Sequence, residues 1–549
     1  MGRLRGLLPD PADLVAMGRH PRADVVAGLT TGVVALPLAL AFGVAAGMGA
    51  SAGLTTAIVA GLLAAVFGGS RVQVSGPTGA MAVVLLPITA AYGPNGVLVA
   101  GVLAGVILLA AALLRVGRYI AFLPVPVVEG FTAGIAAVIA LQQVPFALGV
   151  SDVGSGRTVV VAGRAVARFA AQPTAGAVLI TAAVVIVMVA GGRIAHAFPS
   201  SLVAVAAATA AADLAGLHVQ RIGSIPASLP WPALPQMHLH DVTALLPAAL
   251  AIAALAGIES LLAATVADGL SDGPRHDPDR ELVGQGVANL VAPLFGGMPA
   301  TGAIARTAVS VRAGATSRLA AVVHSLSLVL VVLLAAPLVS RIPLAALAGV
   351  LLVTAARMAD LRALTVLTRV SRSSALVLIG TLCATVLLDL IRAVEIGVAA
   401  AAVLALRQLA LSARLDRLSP NDGTPGMSAH DLLDEHIVVF RIDGALFFAS
   451  AHRLLSELLD VADVRVVILR LSRLVHLDAT GAKLLAEAVA GLEARGVVVL
   501  LSGVLAEHQT MLERLGVLTA LRHDRHMLPD IAAALAHARE HVGSLAAQV

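Results

Sequence analysis

Residues 74–87 read VSGPTGAMAVVLLP, and the architecture of the whole chain can be worked out from this stretch. A Gly-Pro-Thr-Gly turn leads directly into an apolar run that is too short to cross a bilayer core of about 30 Å. Pro77 suits the first position of a helix, where its missing N–H would have no partner. The free N–H groups and the positive dipole end of this half-helix would then face whatever lies in front of it.

A related motif, GGMPATGAIAR, occurs far downstream at residues 296–306. One such motif could simply break a helix for packing. Two Gly/Pro-broken short segments at corresponding places in the two halves of a membrane protein indicate an anion site near the middle of the membrane. The pair therefore predicts an anion transporter.

The composition is that of a membrane protein. The 549 residues are 58% hydrophobic and 13% charged, with a mean hydropathy of +0.94. The net charge of +4 could suggest nucleic acid, but the arginines lie in short loops between apolar spans, as the positive-inside rule expects. We therefore expect a lipid membrane as the surroundings and no nucleic-acid partner.

The sequence offers little for catalysis. His218, His238 and His240 have no Cys or acidic partners at metal-ligand spacing, and no Walker-type phosphate loop is present. We expect no enzyme activity, no catalytic residues, no bound metal and no cofactor beyond a coupling H⁺ or Na⁺.

Apolar windows predict fourteen spans in two groups of seven, with the short third and tenth spans in equivalent places. The spans lie near 25–46, 52–69, 78–92, 95–115, 123–147, 173–191, 197–217, 243–267, 281–295, 301–312, 316–339, 342–358, 373–391 and 393–413. An odd-numbered repeat is inverted in the membrane. The expected fold class is an α-helical polytopic membrane protein of 7+7 inverted repeats.

We expect the chain to lie in the plasma membrane. The placement of its arginines predicts that the N-terminus is cytoplasmic. The loop 149–172, with three arginines on the predicted outer side, is an exception, and 361–370 predicts an amphipathic helix on the inner surface. The predicted division is 1–24, a cytoplasmic segment; 25–417, the transmembrane domain; 418–435, a linker; and 436–549, a cytoplasmic domain.

The last of these segments alternates short β-like and helical runs, which predicts a small α/β domain. The expected strands are 437–442, 464–471 and 497–501, and the expected helices are 451–461, 479–495 and 506–515.

Several motifs resemble the SulP family of sulfate permeases and related anion transporters. They are AGLTTGVVALPLALAF at 27–42, QVSGPTG at 73–79, IESLL at 258–262 and DRELVGQGVAN at 279–289. LDATG at 477–481 resembles the start of a helix in a STAS domain. The resemblance implies a core domain and a gate domain that move against each other, a homodimer, and a STAS domain that supports assembly or binds a cytoplasmic regulator.

The resemblance also implies where the anion binds, between the facing N-termini of the third and tenth helices. The implied binding residues are Thr78, Gly79, Thr301, Gly302, Ala303 and Arg306. Arg306 would add positive charge behind the site, or it is a structural arginine paired with Glu259 or Glu129. Gln142, Gln143, Gln285 and Asn289 are expected to form hydrogen bonds between helices.

Glu259 lies in the middle of an apolar span, where a charge is costly unless it is paired or neutralised. The resemblance implies that it couples ion flow to transport, and a merely structural protonated glutamate is the alternative. Bicarbonate transporters of the family place a hydroxyl four residues later, where this chain has Ala263, with Thr265 nearby on another face. This difference favours protons over sodium.

In the STAS-like segment, Asp478 is expected to cap a helix. Ala479 stands where the related anti-sigma antagonists carry a phosphorylated serine, so that switch is absent, and Thr480 is the remaining candidate for phosphorylation.

The sequence therefore predicts a secondary active transporter of inorganic anions of the sulfate or bicarbonate class. A dicarboxylate symporter or an anion exchanger of the same fold remains an alternative. A membrane sensor that binds an anion and signals through the STAS-like domain is the alternative from another class.

Overall fold

The computed structural model describes residues 9, 11–118, 125–151, 153–154, 156–194, 199–226, 228–236, 239–271, 273–388, 396, 399–400, 403, 414–417, 436–446 and 464–546. The chain forms two compact units, Met1–Ala399 and Ala400–Val549.

The first unit is helical. Its helices are α1 (Pro11–Met17), α2 (Pro21–Ala45), α3 (Ala50–Phe67), α4 (Gly79–Leu113), α5 (Val125–Leu148), α6 (Thr158–Ala171), α7 (Ala175–Ile194), α8 (Ser200–Leu214), α9 (Leu239–Leu270), α10 (Pro278–Val291), α11 (Ile304–Arg312), α12 (Arg318–Val339), α13 (Leu344–Met358), α14 (Leu361–Val370) and α15 (Arg372–Leu387). A 3₁₀ turn, Ala292–Phe295, extends α10.

The predicted spans from the first to the thirteenth coincide with these helices. The third and fourth spans form the single element α4, which is broken at Gly93, where φ is 68° and a side chain would be strained. Within the described residues, eight helices are long and apolar enough to cross a membrane. The fourteenth predicted span, 393–413, lies outside the described residues except for isolated positions.

Two loops also contain helices. The amphipathic helix predicted at 361–370 is present as α14. The helix α6 occupies much of 149–172, which the sequence analysis treated as a loop because it lacks an apolar window long enough to span a bilayer.

The helices of this unit pack in two groups. In one group, α4 packs against α9 and α10, α2 against α12, and α3 against both α10 and α12, while α11 lies against α9 and α2. In the other group, α5 packs against α15 and α13, and α7 packs against α13 and α8. We refer to these as the core group and the gate group. The arrangement agrees with the two-part architecture that the resemblance implied.

Two short extended segments meet in the middle of the core group. Strand β1 (Ser75–Gly76) pairs antiparallel with β2 (Thr301–Gly302), with Ser75 opposite Gly302 and Gly76 opposite Thr301. Each strand leads directly into a half-helix, α4 or α11. The pairing therefore brings the N-termini of the two half-helices together from distant parts of the chain.

The predicted position of Pro77 is wrong. Helix α4 begins at Gly79, and Thr78 is its N-cap, whose hydroxyl accepts a hydrogen bond from the N–H of Met81 over 3.4 Å. Pro77 therefore precedes the cap and lies outside the helix. The physical reason is that a threonine hydroxyl can satisfy a free N–H of the first turn, which favours Thr at the cap position.

The second unit contains a mixed sheet. Its strands are β3 (Arg414–Arg417), β4 (Ile437–Leu446), β5 (Val466–Arg470), β6 (Leu474–Leu477), β7 (Val498–Ser502) and β8 (Met527–Leu528). The order is β3-β4-β5-β7-β8, with β6 paired to β4, and only the β3–β4 pair is antiparallel. The strand β3 is built from residues that the sequence division assigned to the transmembrane domain. It belongs to the sheet because its backbone pairs with β4.

Helices cover both faces of this sheet. They are α16 (Ala479–Ala494), α17 (Ala506–Arg514), α18 (Val517–Ala520) and α19 (Ile531–Ala546), with a 3₁₀ turn at Asp524–His526. Alternate residues of β4 face opposite sides: Val438 packs in the core shared with α16, and Val439 packs in the core shared with α19. The predicted helix 451–461 lies outside the described residues. Asp478 caps α16 as expected, and its Oδ1 accepts a hydrogen bond from the N–H of Gly481 over 2.6 Å.

Candidate functional site

A cavity of about 1330 Å³ lies between the core group and the gate group. Core-group residues in its wall come from α2, α4, α9 and α11, and gate-group residues come from α5, α7, α8 and α13. Thr78 and Arg306 line its floor, where they are 5% and 2% exposed. Its other end reaches Arg193, Arg312 and Arg357, which are all exposed.

Both half-helices begin in the wall of this cavity. Gly79 and Ala80 at the start of α4, and Ile304 and Ala305 at the start of α11, all line it. The first N–H groups of a helix have no carbonyl within the helix to bond. Among the residues that the structure describes, these four amides have no other acceptor. Two positive helix ends therefore meet at the cavity with hydrogen-bond donors unused.

Glu259 lies where the two half-helices meet. Its Oε2 accepts a hydrogen bond from the Thr78 hydroxyl over 3.0 Å and from the Thr301 hydroxyl over 2.8 Å. The two hydroxyl oxygens are themselves 3.2 Å apart. The structure thus brings together three of the residues that the sequence analysis selected, one from each of α9, the cap of α4 and β2.

Gly302 and Ala303 do not offer their own N–H groups to the cavity. The N–H of Gly302 donates to the Ser260 hydroxyl over 2.8 Å, and the N–H of Ala303 donates to the carbonyl of Val74 over 2.9 Å. These bonds hold the strand crossing in place. The free backbone donors at the start of α11 are the N–H groups of Ile304 and Ala305, one and two positions after Ala303.

The sequence motifs did not identify Ala80, Ile304 and Ala305 as donors. The signal that identifies them is the position of the helix cap, because the unused amides are those that follow the cap residue. A sequence alone places a helix start to within two or three residues, and that margin decides which amides are free.

Arg306 lies behind the crossing. One guanidinium nitrogen, Nη2, donates to the carbonyl of Pro77, and Nη1 has no partner within the described part of the chain. The residue interacts electrostatically with Glu259, although no ion pair within 4.0 Å joins it to Glu259 or Glu129 among the described residues. A Cβ at Gly76 would stand 2.6 Å from Nη1, so this approach requires a glycine there.

A buried polar network on α10 supports the crossing. The Glu281 carboxylate accepts hydrogen bonds from the N–H groups of Gly69 and Ser70 and from the side-chain amides of Gln73 and Gln285. Gln285 also donates to the Ser75 hydroxyl over 2.8 Å.

One turn further along α10, Asn289 exchanges two hydrogen bonds with the backbone of Ala300, at 2.9 and 2.8 Å. Gln285 and Asn289 therefore join α10 to β1 and to the segment before β2, and not to another helix as predicted. Gln142 Oε1 and Gln143 Nε2, on α5, are buried and have no hydrogen-bond partner within the described part of the chain. Glu281, which the sequence did not single out, is the centre of the network.

The charge of the cavity wall is mainly positive. The charged side chains that line the cavity are Arg193, Arg306, Arg312, Arg357 and Glu259. A cleft lined mainly by one sign of charge concentrates ions of the opposite sign. The wall therefore suits an anion.

Neither position 263 nor position 265 supplies a further oxygen beside Glu259. Ala263 is fully buried and has no polar side-chain atom. Thr265 is exposed, and its hydroxyl donates to the carbonyl of Leu261 in its own helix over 2.8 Å. Neither side chain adds a ligand for a cation beside Glu259.

The chain is similar to known anion transporters over nearly its whole length. The model of the sulfate permease family matches residues 22–381, and the model of the STAS domain matches residues 433–534. A putative sulfate transporter of Bacillus subtilis, YvdB, is 34% identical over 501 residues, which cover 90% of this chain and 93% of that protein. The bicarbonate transporter BicA of Picosynechococcus is 30% identical over 532 residues, with 93% of each chain covered.

Solved structures agree with this assignment. The transmembrane domain of a cyanobacterium bicarbonate transporter BicA matches with a TM-score of 0.63 and 33% identity, covering 68% of this chain and 98% of that chain. The murine Slc26a9 anion transporter in the inward-facing state shares the fold, with a TM-score of 0.87 at 19% identity, over 98% of this chain and 95% of that chain. These matches confirm the predicted fold class and the expectation of a transporter. The chain belongs to the sulfate permease family of membrane anion transporters and carries a STAS domain after its transmembrane part.

Proposed function

We propose that this protein is a secondary active transporter of a small inorganic oxyanion, sulfate or bicarbonate, which binds between the N-termini of α4 and α11. One observation carries this proposal. The unused amides of two facing helix ends open into a cavity whose charged wall is dominated by arginines. Neutral backbone donors bind an anion without introducing a full charge into the membrane. Relatives named as a putative sulfate transporter and as a bicarbonate transporter support the choice of these two oxyanions.

The binding residues in this proposal combine backbone and side-chain donors. Gly79, Ala80, Ile304 and Ala305 supply N–H groups, and Arg306 supplies positive charge from behind the crossing. The roles assigned from the sequence to Gly302 and Ala303 become structural ones, because their amides hold the strand pair that positions the donors.

Glu259 is the proposed coupling residue, and the proton is the proposed coupling ion. Its Oε2 accepts both threonine hydroxyls, so these hydroxyls are directed at the carboxylate while it is ionised. Protonation removes the charge that attracts the hydroxyls, and Thr78, which lines the cavity floor, can then turn its hydroxyl to an anion. The absence of a side-chain oxygen at Ala263 supports protons over sodium.

The transport cycle in this proposal alternates access between the two sides of the plasma membrane. The cavity reaches exposed arginines at the ends of α7, α11 and α13, which are the ends that arginine placement assigns to the cytoplasm. We therefore infer an inward-facing state, with both termini cytoplasmic and a homodimer as the assembly. Movement of the core group against the gate group would carry the site across.

The test is uptake into proteoliposomes. We would measure uptake of labelled sulfate and of labelled bicarbonate under imposed proton or sodium gradients, with the wild type, Glu259→Gln and Glu129→Gln. Glu129 is the matched control because it also lies in a spanning helix but does not line the cavity. We expect uptake of one anion that follows the proton gradient, disappears in Glu259→Gln and persists in Glu129→Gln.

Other outcomes identify other functions. Uptake that follows the sodium gradient would refute proton coupling, and uptake that requires an anion inside the vesicle would indicate an exchanger. Uptake of labelled fumarate in place of the inorganic anions would indicate a dicarboxylate symporter. Saturable sulfate binding without uptake under any gradient would indicate a sensor that signals through the STAS domain.

A further inference from the structure

Four histidine rings lie together at one edge of the STAS domain. The ring centroids of His526 lie 5.5 Å from His523, 5.6 Å from His537 and 5.2 Å from His541, and those of His537 and His541 are 4.8 Å apart. The cluster lies wholly within the second unit and has no part in the transport site. Clusters of imidazoles are typical of sites for transition metals.

The fold brings these rings together from two elements. His537 and His541 are four residues apart on α19, so they project from the same face of that helix. His526 is the last residue of the 3₁₀ turn before β8. Ala534, Leu535 and Ala538 pack α19 onto the sheet and thereby hold its histidine face against the turn.

His526 is in an unusual state for a histidine without a ligand. Its side chain is 1% exposed, and its Nδ1 has no hydrogen-bond partner in the described part of the chain. A buried polar atom without a partner is destabilising.

We propose that His526, His537 and His541 form a binding site for a divalent transition metal, with Zn²⁺ as the expected ion. One ligand atom from each histidine lies within 4.8 Å of the other two. Nitrogens bound to tetrahedral zinc at about 2.0–2.1 Å are roughly 3.3 Å apart, a spacing that side-chain rotation can reach. Water would complete the coordination.

A contact between a carboxylate and one of these histidines supports the assignment. Nδ1 of His537 lies 3.3 Å from a carboxylate oxygen of Glu540. A metal-bound histidine generally donates its other ring N–H to an acceptor of this kind, which fixes the ring and leaves Nε2 for the metal. A metal bound here would join α19 to the 3₁₀ turn before β8 and would therefore hold α19 against the sheet.

The test is metal binding by the full-length protein, produced without a polyhistidine tag and stripped with a chelator. We would titrate it with Zn²⁺ and with Co²⁺, whose visible absorption reports four-coordinate nitrogen ligation, and use Mg²⁺ as a negative control. His537→Gln and His541→Gln remove ligands that are only partly buried. His476→Gln is the matched control, since His476 is an exposed histidine of the same domain.

We expect one Zn²⁺ per chain at this site, the cobalt absorption of a four-coordinate complex, and a higher unfolding temperature with Zn²⁺. Each ligand variant should weaken Zn²⁺ binding by at least about tenfold, and the double variant should lose the cobalt signal. The metal-free unfolding temperatures of the variants show whether they fold. Equal Zn²⁺ binding by the wild type and a folded double variant would overturn the proposal, as would an equal loss in His476→Gln.

Discussion

Ile304→Pro tests directly whether backbone amides bind the anion. Ile304 is the first residue of α11, and proline is tolerated there because the missing N–H has no partner within the helix. The preceding residue, Ala303, has φ −105° and ψ 104°, so it is extended and outside the α region that a following proline disfavours. The substitution therefore removes one donor from the cavity wall while keeping the helix.

The expected magnitude follows from the bond that is lost. A hydrogen bond to a charged group contributes about 1.5–3 kcal/mol. At about 1.4 kcal/mol for each factor of ten, the dissociation constant for the anion should rise about tenfold to a hundredfold. Ile304→Ala, which shortens the side chain but keeps the N–H, should change the dissociation constant only a few-fold.

Equilibrium binding of radiolabelled sulfate to purified protein, with bicarbonate as competitor, measures this difference. Unfolding temperatures in the same detergent show whether both variants keep the fold. If the proline and alanine variants lost affinity equally, the side chain and not the amide would be responsible. If the folded proline variant bound as tightly as the wild type, the α11 amide would not be a ligand.

Three further predictions concern the hydroxyls, the polar network and the STAS helix. Thr301→Val removes a hydrogen bond to Glu259 and should lower coupled uptake by at least about tenfold. The control Thr265→Val loses a hydrogen bond only within its own helix and should transport normally. Equal losses of uptake in the two variants would contradict the proposed site. Glu281→Ala leaves buried donors unpaired and should lower the free energy of unfolding by at least about 3 kcal/mol, measured as a lower unfolding temperature. The control Glu513→Ala, at an exposed position, should change the free energy of unfolding by no more than about 0.5 kcal/mol. Asp478→Ala removes the cap of α16 and should destabilise that helix by about 1 kcal/mol, so that its amides exchange about fivefold faster; unchanged exchange would show that the cap is dispensable.

The sequence by itself determined the class of protein and the approximate position of its site. Spans of apolar residues are a local property, because the length and hydropathy of a segment decide whether it can cross a bilayer. The Gly/Pro motifs before α4 and α11 likewise indicate helix starts without any knowledge of the fold. The family resemblance pointed to Thr78 and Thr301, and the acid in an apolar span pointed separately to Glu259; the structure shows all three within hydrogen-bonding distance.

Tertiary structure decided which atoms face the cavity. The pairing of Ser75 with Gly302 uses the backbone donors near Ala303, and only this pairing shows that the free amides begin at Ile304. The same dependence on distant contacts applies to Glu281, whose acceptor atoms are satisfied by residues more than 200 positions away. The sequence distance between such partners carries no local signal, so their hydrogen bonds become visible only once the chain is folded.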